Sequence, residues 1–129
     1  VSPNARHDAQ NLLDALPLPS YIYELGTGRV LGANGAFCGL VGYSLEDIRT
    51  MEAPMFYAAE ERDRMWHLMR TLPTQGTDER RFQARTGKIF AATVRYRNTE
   101  LMNAQRDFIS SRLVVILTHQ AESPAADEK

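Results

Sequence analysis

The sequence predicts an α+β domain, one antiparallel sheet with short helices packed on one face. Three observations carry that expectation. Two stretches of strand character come early, three come late, and the segments between them have helical spacing. From Lys88 to Asn98, Phe90, Ala92, Val94 and Tyr96 alternate with Ala91, Thr93, Arg95 and Arg97, giving one core-like and one solvated face. Met65, Leu68, Met69 and Leu72 recur at i, i+3, i+4 and i+7, a single apolar stripe on a helix.

Each element has its own signal. Residues 8–16 carry Leu12, Leu13 and Leu16, a short amphipathic helix stopped by Pro17 and Pro19. Ser20-Tyr21-Ile22-Tyr23-Glu24-Leu25 is aromatic and β-branched, hence a strand. Gly26-Thr27-Gly28 turns it back into a second strand, Arg29 to Ala33. Asn34 suits a corner and a helix N-cap, and Phe37, Leu40 and Val41 put three apolar groups on one helical face. Gly42 can close that helix in a left-handed conformation, and Ser44 with Asp47 opens the next one, which Pro54 ends. The helix of about 58–72 has Glu60, Glu61 and Asp63 at its start, where acids complement the dipole, and Pro73 and Gly76 after its end. Glu79 to Arg85 and Lys88 to Asn98 flank the Thr86-Gly87 turn. A polar connection spans Glu100 to Gln105. Phe108 to Thr118 holds the run Leu113-Val114-Val115-Ile116-Leu117, a strand buried on part of both faces. The organisation is therefore a lead-in and helix over 1–19, a core over 20–119 and a flexible linker over 120–129.

Composition narrows the function. The chain has 129 residues, 43% hydrophobic and 24% charged, enough for one domain with a real core. Its net charge of −1 offers no electrostatic case for nucleic acid, nor for membrane contact by this segment. The single cysteine, Cys38, leaves no internal disulfide and no multi-cysteine metal cluster. No apolar run approaches the roughly 20 residues of a membrane span. The start, Val1 to Asp8, is polar and shows no signal peptide, and the ends look cut from something longer. A cytoplasmic location is the expectation, with membrane anchoring of a longer parent left open.

Taken together, the motifs resemble those of PAS domains over roughly residues 10–119. Leu12-Leu13-Asp14-Ala15-Leu16-Pro17 before a hairpin resembles the family's entry. Val30 to Ser44, where a strand runs into Asn34, then Ala36-Phe37, then Gly42-Tyr43-Ser44, resembles its most recognisable stretch. Arg85-Thr86-Gly87-Lys88 resembles its basic-Asp-Gly turn, with Thr86 in place of Asp. Ile116-Leu117-Thr118-His119 resembles its terminal Asp-Ile-Thr signature, with Ile116 where the Asp stands. The resemblance implies a five-stranded antiparallel sheet whose middle helices close a pocket over one face. It also implies a sensory or interaction module of a larger, bacterial-type signalling protein, working in two-component or cyclic-nucleotide signalling and joined to an output domain.

The residues limit the chemistry such a module has here. Haem-binding relatives ligate iron through a histidine on the long helix. His67 lies about 200° around from Met65, so it points away from the pocket; His7 and His119 have no partners at metal spacing. Flavin photosensors of the family carry a reactive cysteine directly after the corner asparagine, and that position is Gly35. Cys38 reads as a small packing group. Haem and flavin are therefore disfavoured, and no cofactor or metal is expected. No phosphate loop, Ser/His/Asp set or HExxH is present, so no enzyme is expected.

Two readings follow. The first is a non-catalytic signalling and interaction module forming a homodimer through Leu12, Leu13 and Leu16 and the sheet face. The second is a sensor of a small apolar or aromatic molecule. Its pocket would be lined by Tyr23, Phe37, Leu40, Met65, Met69, Phe82, Phe90, Ala92, Val94 and Tyr96, with Tyr23 as the polar handle. Trp66 is expected at the stripe's margin, at an entrance or against a loop. Arg80, Arg81, Arg85, Arg95 and Arg97 are read as a basic stripe on the outer sheet face, either solvated or docking a partner domain.

Overall fold

The computed structural model describes residues 5–102 and 107–122. In chain order these are α1 (Ala5–Asp14), β1 (Ser20–Glu24), β2 (Val30–Ala33), α2 (Gly35–Val41), α3 (Leu45–Ile48), two 3₁₀ turns (Ala53–Phe56 and Ala59–Glu61), α4 (Arg62–Thr71), β3 (Gln75–Gln83), β4 (Ile89–Met102) and β5 (Phe108–Ala121). The strands form one five-stranded sheet in the order β2-β1-β5-β4-β3, with every neighbour antiparallel. The expected α+β class and the five-stranded antiparallel sheet are what the chain adopts.

The period-2 pattern divides the sheet into two faces. Tyr21, Tyr23, Phe82, Phe90, Ala92, Val94, Tyr96, Val114 and Ile116 point inward and meet Phe37 and Val41 of α2, Ile48 of α3, Phe56 of the first 3₁₀ turn, and Met65 and Met69 of α4. The opposite face is not wholly solvated. Ala9 and Leu13 of α1 cover Ile22, Leu31 and Leu101, with Leu16, Ile109 and Leu113 at the edge of that second cluster. Gly32 makes this docking possible. A Cβ there would stand 2.8 Å from Oε1 of Gln10 and 3.2 Å from the Leu13 side chain.

Several boundaries differ from those expected, for physical reasons. The first helix ends at Asp14 rather than at 16, because Pro17 has no N–H for the Leu13 carbonyl and the chain tightens into i→i+3 bonds, Ala15 to Leu12 and Leu16 to Leu13. The long helix begins at Arg62; the acids Glu60 and Glu61 lie in the 3₁₀ turn before it. β4 continues through Met102, which pairs with Phe108, so part of the expected polar connection is strand and 103–106 fall outside the described residues. β5 runs to Ala121, and the amide of Glu122 donates to the Ile89 carbonyl, so the chain stays on the sheet beyond 120; the rest of the expected linker lies outside the described residues.

The corner after β2 is as punctuated as its sequence. Asn34 Oδ1 accepts from the amide of Phe37 and caps α2. Gly42 ends α2 at φ +81°, its amide donating to the Cys38 carbonyl. Ser44 accepts from the amide of Asp47 and caps α3.

Candidate functional site

The space between the inner sheet face and α2, α3 and α4 is closed by aromatic rings. Phe37 lies 4.7 Å from Tyr21 and 5.0 Å from Phe56 between ring centroids, and Phe82 lies 4.6 Å from Tyr57 and 5.3 Å from Phe90. These rings come from β1, α2, the first 3₁₀ turn, its end, β3 and β4. Each offset or edge contact adds to the area buried.

Of the expected pocket residues, Tyr23, Phe37, Met65, Met69, Phe82, Phe90, Ala92, Val94 and Tyr96 all share this cluster, and Leu40 packs against it from a half-buried position. Met65 and Met69 face inward from α4, whereas His67 is exposed. Trp66 is half-buried and lies over the β1–β2 turn, where a Cβ on Gly28 would come 3.0 Å from its ring. Three surface grooves lie elsewhere, and of the buried cluster residues Tyr96 lines one and Ala92 another.

A polar network threads the apolar interior. Arg80, on β3, is 3% exposed and Arg112, on β5, is 2% exposed, two cations buried beyond what such residues normally tolerate. Arg80 donates through Nη1 to the Tyr57 hydroxyl at 2.9 Å and through Nε to Asp78 Oδ1 at 2.8 Å. The Tyr57 hydroxyl is 2.5 Å from that of Tyr21. Arg112 donates through Nε to Asn98 Oδ1 at 2.9 Å, and through Nη1 to the Tyr23 hydroxyl at 2.8 Å and the Met69 carbonyl at 3.4 Å. Both guanidiniums stand 5.5 Å from the Tyr96 ring centroid, so one ring face system serves two cations.

The electrostatics follow from this geometry. Burial pushes the Tyr21 phenol well above its ordinary pKa, and the neighbouring Tyr57 adds to the effect. Burial also raises Tyr23, against the opposing pull of Arg112. Burial works against the charge on Arg80, but the Tyr57 and Tyr21 oxygens and Asp78 outweigh it and raise its pKa. Burial raises the thiol of Cys38, which sits half-buried on α2.

One expectation is corrected outright. Arg80 is not part of an outer basic stripe. It lies two residues before Phe82 and therefore points inward with it. Arg81 faces out but is held by Glu60 at 2.5 Å and Glu122 at 2.7 Å. That leaves exposed Arg85, Arg95 and Arg97 of the five. A second correction concerns the leucines of the first helix. Leu13 is fully buried against its own sheet, Leu16 lies past the helix end and is partly buried, and only Leu12 is open, at 42%.

Asn34 is the residue whose role exceeds its sequence signal. It is 3% exposed, and its side chain serves three elements. Oδ1 accepts from the amides of Phe37 at 3.0 Å and Ser20 at 3.1 Å. Nδ2 faces the carbonyls of Leu18 at 2.7 Å, Leu16 at 3.3 Å and Leu13 at 3.4 Å. One amide thus ties the exit of α1, the start of β1 and the N-terminus of α2. Tyr21, Tyr57, Arg112 and Asn98 also belong to this network and carry no motif in the sequence. Tyr21 shares a face with Tyr23 by period 2 and could have been found; Tyr57 sits in an aperiodic stretch and could not.

Comparison with known proteins agrees with this architecture. No family profile and no curated protein matches the sequence. Among solved structures, the chain is similar to a PAS domain from a two-component sensor histidine kinase, at 18% identity, covering 87% of this chain and 91% of that one with a TM-score of 0.63. It is similar to the PAS domain of an HTR-like protein from Haloarcula marismortui, at 13% identity, 86% of each chain and a TM-score of 0.67. It is also similar to the Rhodobacter sphaeroides LOV protein, at 14% identity, covering 93% of this chain and 69% of that one with a TM-score of 0.68. The chain has the PAS fold.

Proposed function

We propose that this chain, which has the fold of PAS domains, is a non-catalytic signal-sensing and protein-interaction module of a larger signalling protein, cytoplasmic and joined to an output domain. The observation that carries the reading is the Asn34 junction. A displacement of α2, which closes the interior, moves the amide of Phe37 and with it the residue that holds the carbonyls of Leu13, Leu16 and Leu18. The interior and the entry helix are thereby coupled through one side chain. A homodimer formed on α1 would use Leu12, since Leu13 is spent within the protomer. Sedimentation velocity across concentration tests this. A dimer weakened by Leu12→Glu supports it, and a monomer at every concentration removes the dimer from the proposal. No helix among the described residues is long and apolar enough to cross a membrane.

The aromatic cluster favours a second reading. Tyr21, Phe37, Phe56 and Phe82 meet through ring faces and edges, an arrangement into which an apolar or aromatic ligand could insert by displacing Met65 or Met69. Native mass spectrometry of the purified chain, with a thermal-shift screen of aromatic compounds, tests it. A bound mass that vanishes with Phe37→Leu supports a sensor; no bound mass and no shift with any compound opposes it.

A further inference from the structure

Among the described residues, half of one sheet edge has no strand partner, and it lies beside two cations without a salt bridge. β3 is the last strand of the sheet. Its Arg81 carbonyl accepts from Ala58, and Tyr57 bridges Phe82, so that end of the edge is covered. The Thr74 carbonyl accepts from Asn98 of β4, so even-numbered positions face β4 and odd ones face outward. The N–H and C=O groups of Gln75, Thr77 and Glu79 therefore point to the open side, where no described strand or bridge pairs with them.

The outer face beside this edge is basic. Thr77 pairs with Arg95 and Gln75 with Arg97, so both guanidinium side chains share a face with Thr77 and Gln75. A groove of about 530 Å³ lies over Gln75, Gly76, Thr77, Arg95, Tyr96 and Arg97. Neither Arg95 nor Arg97 makes a salt bridge among the described residues, in contrast to Arg80 and Arg81. No carboxylate lines the groove. Glu79, at the far end of the row, is exposed and repels acids there.

We infer that this edge takes an extended acidic segment of a partner protein, added as a sixth strand along Gln75 to Glu79, with two carboxylates on Arg95 and Arg97. Strand addition supplies main-chain hydrogen bonds, and alternate side chains supply the specificity. An added strand would lie roughly 10 Å from β4, two strand spacings, within reach of an arginine and a glutamate extended toward each other over Thr77. Because side chains alternate, the two acids must be two positions apart. Adjacent acids would point to opposite faces.

The spacing rule makes the test. Two labelled peptides of one composition, Val-Glu-Val-Glu-Val-Thr and Val-Glu-Glu-Val-Val-Thr, are titrated with the 129-residue chain by fluorescence polarisation at low salt. The spaced peptide is expected to bind at least about fivefold tighter than the adjacent one and to weaken as salt rises. The double change Arg95→Gln with Arg97→Gln is expected to weaken it about tenfold or more, with Arg85→Gln as an exposed control without effect. Thr77→Pro removes one outward N–H and spares the ladder to β4, so it is expected to lose binding in a folded chain. Equal binding of the two peptides, binding retained without both arginines, or no binding of the spaced peptide at about 1 mM would overturn the inference.

Discussion

Arg112 of the central strand β5 donates to the carbonyl of Met69, at 3.4 Å, in the last turn of α4. A cation at a helix C-terminus meets carbonyls that the helix itself leaves unbonded. The same guanidinium also holds Tyr23 of β1 and Asn98 of β4. One side chain therefore fixes α4 against three strands. Arg112→Met keeps the bulk and removes the donors, leaving three acceptors short of a partner. We expect a loss of about 3 kcal/mol by urea unfolding, with amide protection in α4 falling first. A loss under about 0.5 kcal/mol would mean that the hub contributes little.

Asn34 gives a sharper comparison, because its two halves do different work. Asn34→Asp keeps the acceptor for Phe37 and Ser20 but turns an oxygen toward the carbonyls of Leu13, Leu16 and Leu18. Were capping of α2 the whole role, Asp would be as good as Asn. The geometry predicts instead that Asp costs about 2 kcal/mol or more at neutral pH, read by thermal or urea denaturation.

Gly32 sets how closely α1 approaches the sheet. Gly32→Val is expected to lift α1 while the inner core stays packed, because the clash is with Gln10 and Leu13 alone. Hydrogen exchange should show lost protection in α1 and little change in β4. Protection unchanged in α1 would show that the helix has room to shift and dock again.

Two windows of pH dependence follow from the shifted groups. Glu60 is held below its usual range first by a backbone hydrogen bond and then by Arg81, and Glu122 chiefly by Arg81. A depressed carboxylate contributes stability above its unfolded pKa of about 4.3 and loses it as pH falls through the folded value. Arg81→Gln should flatten the acid limb of the stability profile below about pH 4.5. At the alkaline end the sign reverses. Tyr21 and Tyr23 are raised, so the fold favours their protonated forms and loses stability as pH rises above about 10. Ultraviolet titration should show these two phenols ionising only with cooperative unfolding.

The fold was largely legible, and the reason is periodicity. Alternation from Phe90 to Tyr96 assigned the inner face of β4, and Met65 and Met69 assigned the inner face of α4. Asn34, Gly42 and Ser44 marked turns through their local chemistry, which is why they could be placed. The polar interior was less legible. Arg80 has the inward parity set by Phe82, but arginine is so rarely buried that its charge argues for the outer face. Arg112 lies directly before an apolar run, and its partners Asn98, Tyr23 and Met69 come from three distant elements. Nothing local announces such a convergence. Leu13 followed its helical stripe, but whether that stripe met another chain or its own sheet depended on Gly32 leaving room.

The proposed function turns on the coupling of the closed interior to the entry helix through Asn34. Hydrogen exchange on α1, in a chain carrying Phe37→Leu, tests this coupling, with Phe90→Leu as the comparison in the same core but away from Asn34. Phe37→Leu is expected to lower protection at Ala9 to Leu13 by about tenfold more than Phe90→Leu, after both are corrected for global stability. Equal protection of α1 in the two variants would contradict it.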